Sequence, residues 1–373
     1  MTKVLFLIPN LGSGGAEKVL VNLVNYMDSN AFDITVMALY NEGVNKTELA
    51  EHIRYRYCFE SSFIGVAHVL KLFSPERLFT KFINEKYDIV ISYLEGQTAR
   101  IIAGCKSQAS KKVCWIHRTM TTMEDAARLF RSKKEAVKCY SSFDAIVSVS
   151  QDVQKSFMRL FPLEERGKVL YNTNESNFIL QEATECIDKP SLFKENEIKI
   201  CAVGSLIPVK GFERLIKIHI KLRIEGYPVH TYILGEGSEK NNLINLIQKN
   251  GMSDSITLLG YQKNPYKYMK HCDLFVCSSY SEGLSTAVTE ALILGIPVIT
   301  TKVSGMEELL GSKNEYGIIV ENDDISLYNA LKCILKDKDL LNYYRGQARI
   351  RGKKFETQKT VREIEQFFVS LME

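Results

Sequence analysis

Short apolar runs recur along this chain, each followed by a segment with helical spacing, and the series occurs twice. "KVLFLIP" (3–9) is nearly all apolar, which marks a strand buried on both faces. "NLGSGGAEK" follows, and "VLVNLVNYM" then sets Val19, Leu20, Leu23, Val24 and Met27 at helical spacing. "DITVMALY" (33–40), "DIVISYL" after "RLFTKFINEKY", "KKVCWIH" (111–117) and "AIVSVS" (145–150) continue the series. One helical pattern, "EDAARLFRSKKEAVKCYSSF", joins the last two. After "KVLYNTN" (168–174) the apolar density falls across "ESNFILQEATECIDKPSLFKENE". The alternation restarts at "IKICAVGSL" (198–206) and runs through "GFERLIKIHIKLRIEG", "HTYILGEG", "KNNLINLIQKNG", "SITLLGY", "CDLFVCSSY" and "IPVITT" (296–301). Such alternation specifies doubly wound, mostly parallel α/β sheets. With 373 residues, two cores are expected: one domain over 1–175, a connection over 176–197 and a second domain over 198–355. The amphipathic tail 356–373 is expected to be a helix that packs back toward the first domain.

Bulk properties narrow the class. The chain is 45% hydrophobic and 25% charged, an ordinary globular balance. A net charge of +4 gives no reason to expect nucleic-acid binding. The charge is uneven, because residues 100–138 hold ten Lys and Arg against three Asp and Glu, making that segment +7 and the remainder −3. The nine cysteines form no C-x-x-C pair, and an odd number, several in apolar runs, reads as reduced thiols. Val4 to Ile8 are too few for a signal-peptide core, and no run approaches the ~20 apolar residues of a membrane span. A cytoplasmic protein is expected.

Three loops that follow strands stand out: 10–17, 204–211 and 279–286. In open α/β sheets ligands collect at that edge, and two domains offer a cleft between two such edges. Gly12, Gly14 and Gly15 lie between a strand and a helix, where amides can cradle a phosphate; glycines there equally serve a tight turn. The loop is no dinucleotide fingerprint, since Glu17 stands where the last glycine belongs, and no P-loop, since no G-K-[ST] follows. In "VGSLIPVKGFERLI", Lys210 and Gly211 open a helix; a lysine there opposes the helix dipole, which suits either a nearby anion or a solvated loop. "SSYSEGLSTAVTEALILGIPVITT" (278–301) places Glu282 in a Ser/Gly loop and Glu290 inside an apolar helix. No Lys, Arg or His lies in this stretch, so the carboxylates need a partner distant in sequence or a ligand rich in hydroxyls. The amides of Ser285, Thr286 and Ala287 would form a third phosphate cradle, with Glu282 before it able to meet sugar hydroxyls and Glu290 those of a ribose. The plainer readings are an N-terminal acid complementing the dipole and a surface carboxylate.

These motifs, in order and over nearly the whole chain, resemble those of the retaining family 4 glycosyltransferases of the GT-B fold. Glu282-x7-Glu290 within "SEGLSTAVTEAL…GIPVI" is similar to their E-x7-E signature, "GSGGAEKVLVNL" to their Gly-rich loop and "VCWIHRT" to their strand ending in His. "VLYNTN", "VGSLIPVKG" and "VSGMEELL…YGIIV" resemble their "NG" step, "GRL…KG" loop and "GG-x-x-E" segment. The resemblance implies two Rossmann-like domains facing each other across a cleft, the first on the acceptor side and the second binding the nucleotide sugar. It implies Glu290 on the ribose, Glu282 on the donor sugar, and Lys210 with the amides of Ser285 to Ala287, approached through Gly283 and Leu284, on the diphosphate. It further implies Gly14 and Gly15 closing over the diphosphate, His117 orienting the donor sugar, and Tyr261 and Gln262 at the base. Glu308 matches the "GG-x-x-E" acid. One departure stands out: Ser205 occupies the place of a family arginine, so Lys210 is the principal cation unless Arg118 or Arg214 substitutes. No metal or other cofactor is implied. "DKD" (337–339) formally fits a D-x-D metal motif but lies in a charged segment between helices, and no His/Cys cluster has metal-ligand spacing.

The implied activity is retaining transfer of a hexosyl unit from UDP-hexose or UDP-N-acetylhexosamine to a hydroxyl of a growing polysaccharide or lipid-linked saccharide. The alternatives are a nucleotide-sugar epimerase of the same fold, and a catalytically inactive partner-binding protein, which Ser205 favours. On the acceptor side, the basic segment 100–138, with Trp115, Met120, Met123, Leu129 and Phe130, reads as a face for the inner membrane surface or as a solvated helix face. "IGVAHVLKLFSPERLFTKFI" (64–83) adds aromatic and basic residues.

Overall fold

The computed structural model describes residues 1–62, 65–187 and 190–373. The chain forms two compact units, Met1–Thr173 with Thr357–Glu373, and Asn174–Glu356. In the first, β1 (Thr2–Ile8), β2 (Phe32–Tyr40), β3 (Arg54–Phe59), β4 (Ile89–Ser92), β5 (Lys111–Ile116), β6 (Ala145–Ser148) and β7 (Gly167–Val169) make a parallel sheet in the order β3-β2-β1-β4-β5-β6-β7. In the second, β8 (Ile198–Val203), β9 (Val229–Leu234), β10 (Ile256–Gly260), β11 (Leu274–Cys277), β12 (Val298–Thr301) and β13 (Ile318–Val320) make another, in the order β10-β9-β8-β11-β12-β13. The strand order reverses between β1 and β4 and between β8 and β11, and loops diverge at such switch points to leave room for a ligand.

The apolar runs become strands because helices cover both faces of each sheet. Val4 to Ile8 are wholly buried in β1. Phe6, Tyr93, Trp115 and Phe368 build an aromatic core in the first unit, where Phe368 comes from the C-terminal helix Thr357–Met372. The second core gathers Ile200, Ile216, Leu274, Ile299 and Leu331.

Several elements differ from the sequence expectation. The single helical pattern after Glu124 is two helices, Met123–Ala127 and Lys133–Tyr140. Each has its own cap: Thr122 Oγ1 accepts from the Asp125 N–H and Ser132 Oγ from the Glu135 N–H. Segment 176–197 opens with a helix, Ser176–Glu182, and groups with the second unit; Asp188 and Lys189 in it lie outside the described residues. The tail 356–373 forms the one helix expected, Thr357–Met372, set off from the preceding helix Lys338–Gly352 by a 3-10 turn over Lys353–Phe355.

The basic segment 100–138 is divided between core and surface: Arg128, Arg131, Lys133, Lys134 and Lys138 are exposed, while others lie inside. Arg100 is 2% exposed, its guanidinium held by Glu135 at 3.0 Å and by the carbonyls of Leu70 and Phe73. Trp115, Met120 and Phe130 lie in the core because β5 is an interior strand. Val137 in this segment faces outward, as do Val69, Phe73 and Leu72, the last 76% exposed, in the 64–83 segment; Ile64 at the start of the latter lies outside the described residues.

Candidate functional site

Two loops at the carboxyl edge of adjacent strands meet in the second unit. The loop after β8 runs from Gly204 through the 3-10 turn Pro208–Lys210 to Gly211, which precedes the helix Phe212–Ile224. Gly211 has φ 65°, and a Cβ there would strike the carbonyl oxygen of Ser278, in the loop after β11. Only glycine therefore lets the loops close on each other. The Tyr280 N–H donates to the Val209 carbonyl at 2.8 Å, and Ser278 Oγ to that of Lys210 at 3.1 Å.

That stitching delivers Lys210 Nζ to both oxygens of Glu282, at 2.7 and 2.9 Å. Glu282 is 10% exposed and Lys210 26%. The carboxylate that lacked a cation within its own stretch has one 72 residues away. Ser279 Oγ donates to the same Oε1 at 2.6 Å, and Thr301 Oγ1 fixes Ser279 through its carbonyl at 2.6 Å. Glu282 is thus a preset acceptor whose orientation is fixed by its neighbours.

The helix Thr286–Ile293 begins just beyond. Ser285 caps it, with Oγ accepting from the Val288 N–H, which leaves the amides of Thr286 and Ala287 without intrahelical acceptors. Gly305, at φ 79°, brings its loop against the Gly283 carbonyl and Leu284. Glu290 is half-buried on the same helix and takes a hydrogen bond from Tyr266 Oη at 3.1 Å. Tyr266 sits in a short helix whose start is capped by Asn264 Oδ1. Ser205 is exposed on the loop after β8. Tyr261 and Gln262 follow edge strand β10, with Tyr261 exposed and Gln262 turned to the Leu259 carbonyl.

Both arginines that could stand in for the missing family cation are ion-paired. Buried Arg214 pairs with Asp324 at 2.8 Å, donates to Asn322 at 2.8 Å and stacks 3.9 Å above the Tyr280 ring. Arg118 is matched by Asp125 at 2.6 and 3.0 Å and by Glu95 at 3.0 Å. Asp337 is the N-cap of Lys338–Gly352 through the Leu340 N–H, which is what "DKD" does locally. Among the described residues, no three His, Cys, Asp or Glu side chains gather as a metal site.

The other expected residues group in the first unit. Gly14 caps the helix Gly15–Tyr26 after β1, and His117 follows β5. Burial pushes the His117 imidazole down to about 3, against a hydrogen bond to the Tyr93 carbonyl, so the ring is neutral at ordinary pH. Its Nε2 is buried without a hydrogen-bond partner among the described residues. Glu95 holds the His117 backbone, accepting its N–H at 3.1 Å; burial raises the Glu95 carboxyl despite that bond and Arg118. Sequence reasoning missed Tyr266, Ser279 and Glu95. Only Glu95 carried a local signal, a lone acid before Gly96 at a strand end.

Comparison with known proteins fits this geometry. The family model "Glycosyltransferase Family 4" matches residues 13–173, and "Glycosyl transferases group 1" matches 184–351. The fold superposes on Anabaena HepE in complex with UDP and glucose, with a TM-score of 0.81 at 20% identity over 99% of this chain and 100% of that one. The chain is a GT-B glycosyltransferase. This glycosyltransferase also superposes on the lipopolysaccharide outer core galactosyltransferase WaaB, with a TM-score of 0.72 at 16% identity over 99% of both chains. In sequence it is 28% identical to N-acetylgalactosamine-N,N'-diacetylbacillosaminyl-diphospho-undecaprenol 4-alpha-N-acetylgalactosaminyltransferase of Campylobacter jejuni, over 97% of this chain and 98% of that relative.

Proposed function

We propose that this glycosyltransferase moves a hexosyl unit from a UDP-sugar to a hydroxyl of a lipid-linked or growing cell-surface saccharide, with retention and without a metal. The observation that carries the reading is the Lys210–Glu282 pair beside the first turn of the helix that also bears Glu290. In this reading Glu290 accepts the ribose hydroxyls and Glu282 those of the donor sugar. The amides of Thr286 and Ala287 and the Lys210 ammonium take the charge that grows on the diphosphate as the C1–O bond breaks. The acceptor oxygen bonds to C1 on the same face, and its proton passes to a diphosphate oxygen. Tyr261 and Gln262 are assigned to the base. His117, Gly14 and Gly15 belong to the same proposal as donor contacts.

HepE, solved with UDP and glucose, supports the donor class. The diphospho-undecaprenol acceptor named for the Campylobacter relative supports the acceptor class. Exposed Val69, Leu72 and Phe73 beside Lys71 support a place at the inner membrane surface.

The test is incubation with UDP-glucose, UDP-galactose, UDP-N-acetylglucosamine and UDP-N-acetylgalactosamine, with p-nitrophenyl glycosides as acceptors and NMR of the product's anomeric proton. Transfer with an α-linkage, surviving EDTA, is expected. Interconversion of the nucleotide sugar with its epimer, without acceptor and without release of free sugar, would make the protein an epimerase, and loss in EDTA with recovery in Mn²⁺ would refute the metal-free site.

A further inference from the structure

One carboxylate of the first unit has no place in this chemistry. Glu17 lies in the first turn of Gly15–Tyr26, at the carboxyl end of β1. Its side chain turns back over the loop, so that a Cβ on Gly14 would collide with Oε2. Gly14 has φ −75° and ψ 160°, a conformation open to any residue. A side chain at residue 14 would displace the Glu17 carboxylate from this position. Burial raises the Glu17 carboxyl above the usual range, outweighing a hydrogen bond from its own N–H. Among the described residues it has no cationic partner, since the adjacent Lys18 reaches Glu48 at 2.5 Å. No hydrogen bond joins it to the Gly14 N–H either, so it is not the reciprocal acid of a capping box.

Two further groups end the neighbouring strands. Tyr93 follows β4, and its ring centroid stands 4.8 Å from that of His117, which follows β5. Burial and, after it, the charge of Glu17 push the Tyr93 phenol up. The carboxyl edge of β1, β4 and β5 therefore carries a carboxylate, a phenol and a neutral imidazole, and among the described residues the carboxylate has no counter-charge and the imidazole Nε2 no partner. A carboxylate without a cation accepts hydrogen bonds from neutral hydroxyls. In the proposed reaction Glu282 already serves the hydroxyls of the donor sugar, which leaves those of the acceptor for Glu17.

We propose that Glu17 binds the acceptor saccharide, accepting a hydrogen bond from a sugar hydroxyl beside Tyr93 and His117. This rests on the proposed transfer reaction. The test measures transfer to p-nitrophenyl N-acetyl-α-galactosaminide, and in parallel hydrolysis of the UDP-sugar that the wild type consumes. A hydrogen bond to a charged group is worth a factor of ~10 or more, so Glu17→Gln should raise the acceptor KM about tenfold while the donor KM moves less than about threefold. Glu17→Asp, which keeps the charge on a shorter arm, should fall between. Transfer and hydrolysis falling in equal proportion, or donor KM rising together with acceptor KM, would show that Glu17 serves the fold or the donor and overturn the assignment. So would UDP-sugar consumption by the wild type with no transfer to the glycoside and no change in Glu17→Gln. A wild type that neither binds UDP nor consumes a UDP-sugar sinks the transfer reaction itself, and this assignment with it.

Discussion

Glu282 and Lys210 show how one side chain carries two obligations. Each charge is partly withdrawn from water, and each makes the other tolerable. Removing either should cost more than removing both. In urea unfolding, Lys210→Ala, Glu282→Gln and the double variant should show a coupling of about 1–3 kcal/mol. Additivity would mean the pair is not formed in solution. Turnover should separately fall ~10²–10³-fold in Lys210→Ala, since its ammonium is assigned to the charge growing on the leaving diphosphate. A second residue-scale prediction concerns acid. His117 and His219 are both pushed down to about 3 by burial, His219 between Thr231 Oγ1 at 2.8 Å and Ser255 Oγ at 3.0 Å. Unfolded, both titrate near ~6.5. Between these values the unfolded chain binds more protons, so this stability is whole above ~6.5 and is lost as pH falls toward about 3. The slope is at most about 1.4 kcal/mol per pH unit for each histidine. Urea midpoints from pH 7 to 4 should fall, and His219→Gln should flatten the fall; an unchanged slope would mean that His219 titrates normally. Glu282, Glu290 and Lys210 were legible because each stands in a punctuated loop or interrupts an apolar helix. Tyr266 and Ser279 were not, because nothing nearby in sequence shows that they meet a carboxylate.

The helix Thr286–Ile293 is positioned by what packs against it. Gly352, at the end of Lys338–Gly352, sits against the Leu292 carbonyl, where a Cβ would clash with backbone. The adjacent Arg351 donates through Nε to the Leu309 carbonyl at 2.8 Å, tying the same helix end to the short helix Met306–Leu310. Gly352→Val should therefore force Thr286–Ile293 and Lys338–Gly352 apart, at a cost of about 1–3 kcal/mol. Because Glu290 rides on the displaced helix, UDP affinity should fall as well, although residue 352 does not touch the Glu290 carboxylate. Calorimetric titration with UDP checks this; a destabilised variant with unaltered affinity would separate the packing from the site. Elements buried on both faces were the readable ones, since β1, β2 and β8 are nearly continuous apolar runs. Strand β3, "RYRYCF", was missed because it lies at a sheet edge, where no residue is fully buried and Arg56 and Tyr57 are exposed. The break between Met123–Ala127 and Lys133–Tyr140 was missed because apolar spacing continues through it, and only the caps Thr122 and Ser132 mark the restart.

At the scale of the whole molecule, the chain leaves the first unit at Thr173 and returns to it at Thr357. Two rounds of alternation made two sheets legible, and amphipathic spacing marked the last helix. The aromatic surface that this helix closes is assembled from strands far apart in sequence. Phe368 is wholly buried, its ring 6.1 Å from Phe6, 6.2 Å from Phe32 and 6.4 Å from Trp115. Glu365 on the same helix accepts the Asp28 N–H at 2.7 Å. The last 17 residues are thus part of the first core, although the second unit is synthesised before them. Phe368→Ala should cost about 3–5 kcal/mol. The loss should fall on one unfolding transition only, because the second unit has its own core. Residues 1–173 expressed without the tail should stay expanded and bind hydrophobic dye, and a synthetic 357–373 peptide should restore cooperative unfolding. Residues 174–356 should unfold cooperatively without help. If 1–173 gives a sharp thermal transition and native near-UV dichroism by itself, the helix is an accessory and its burial contributes little to the first unit's stability.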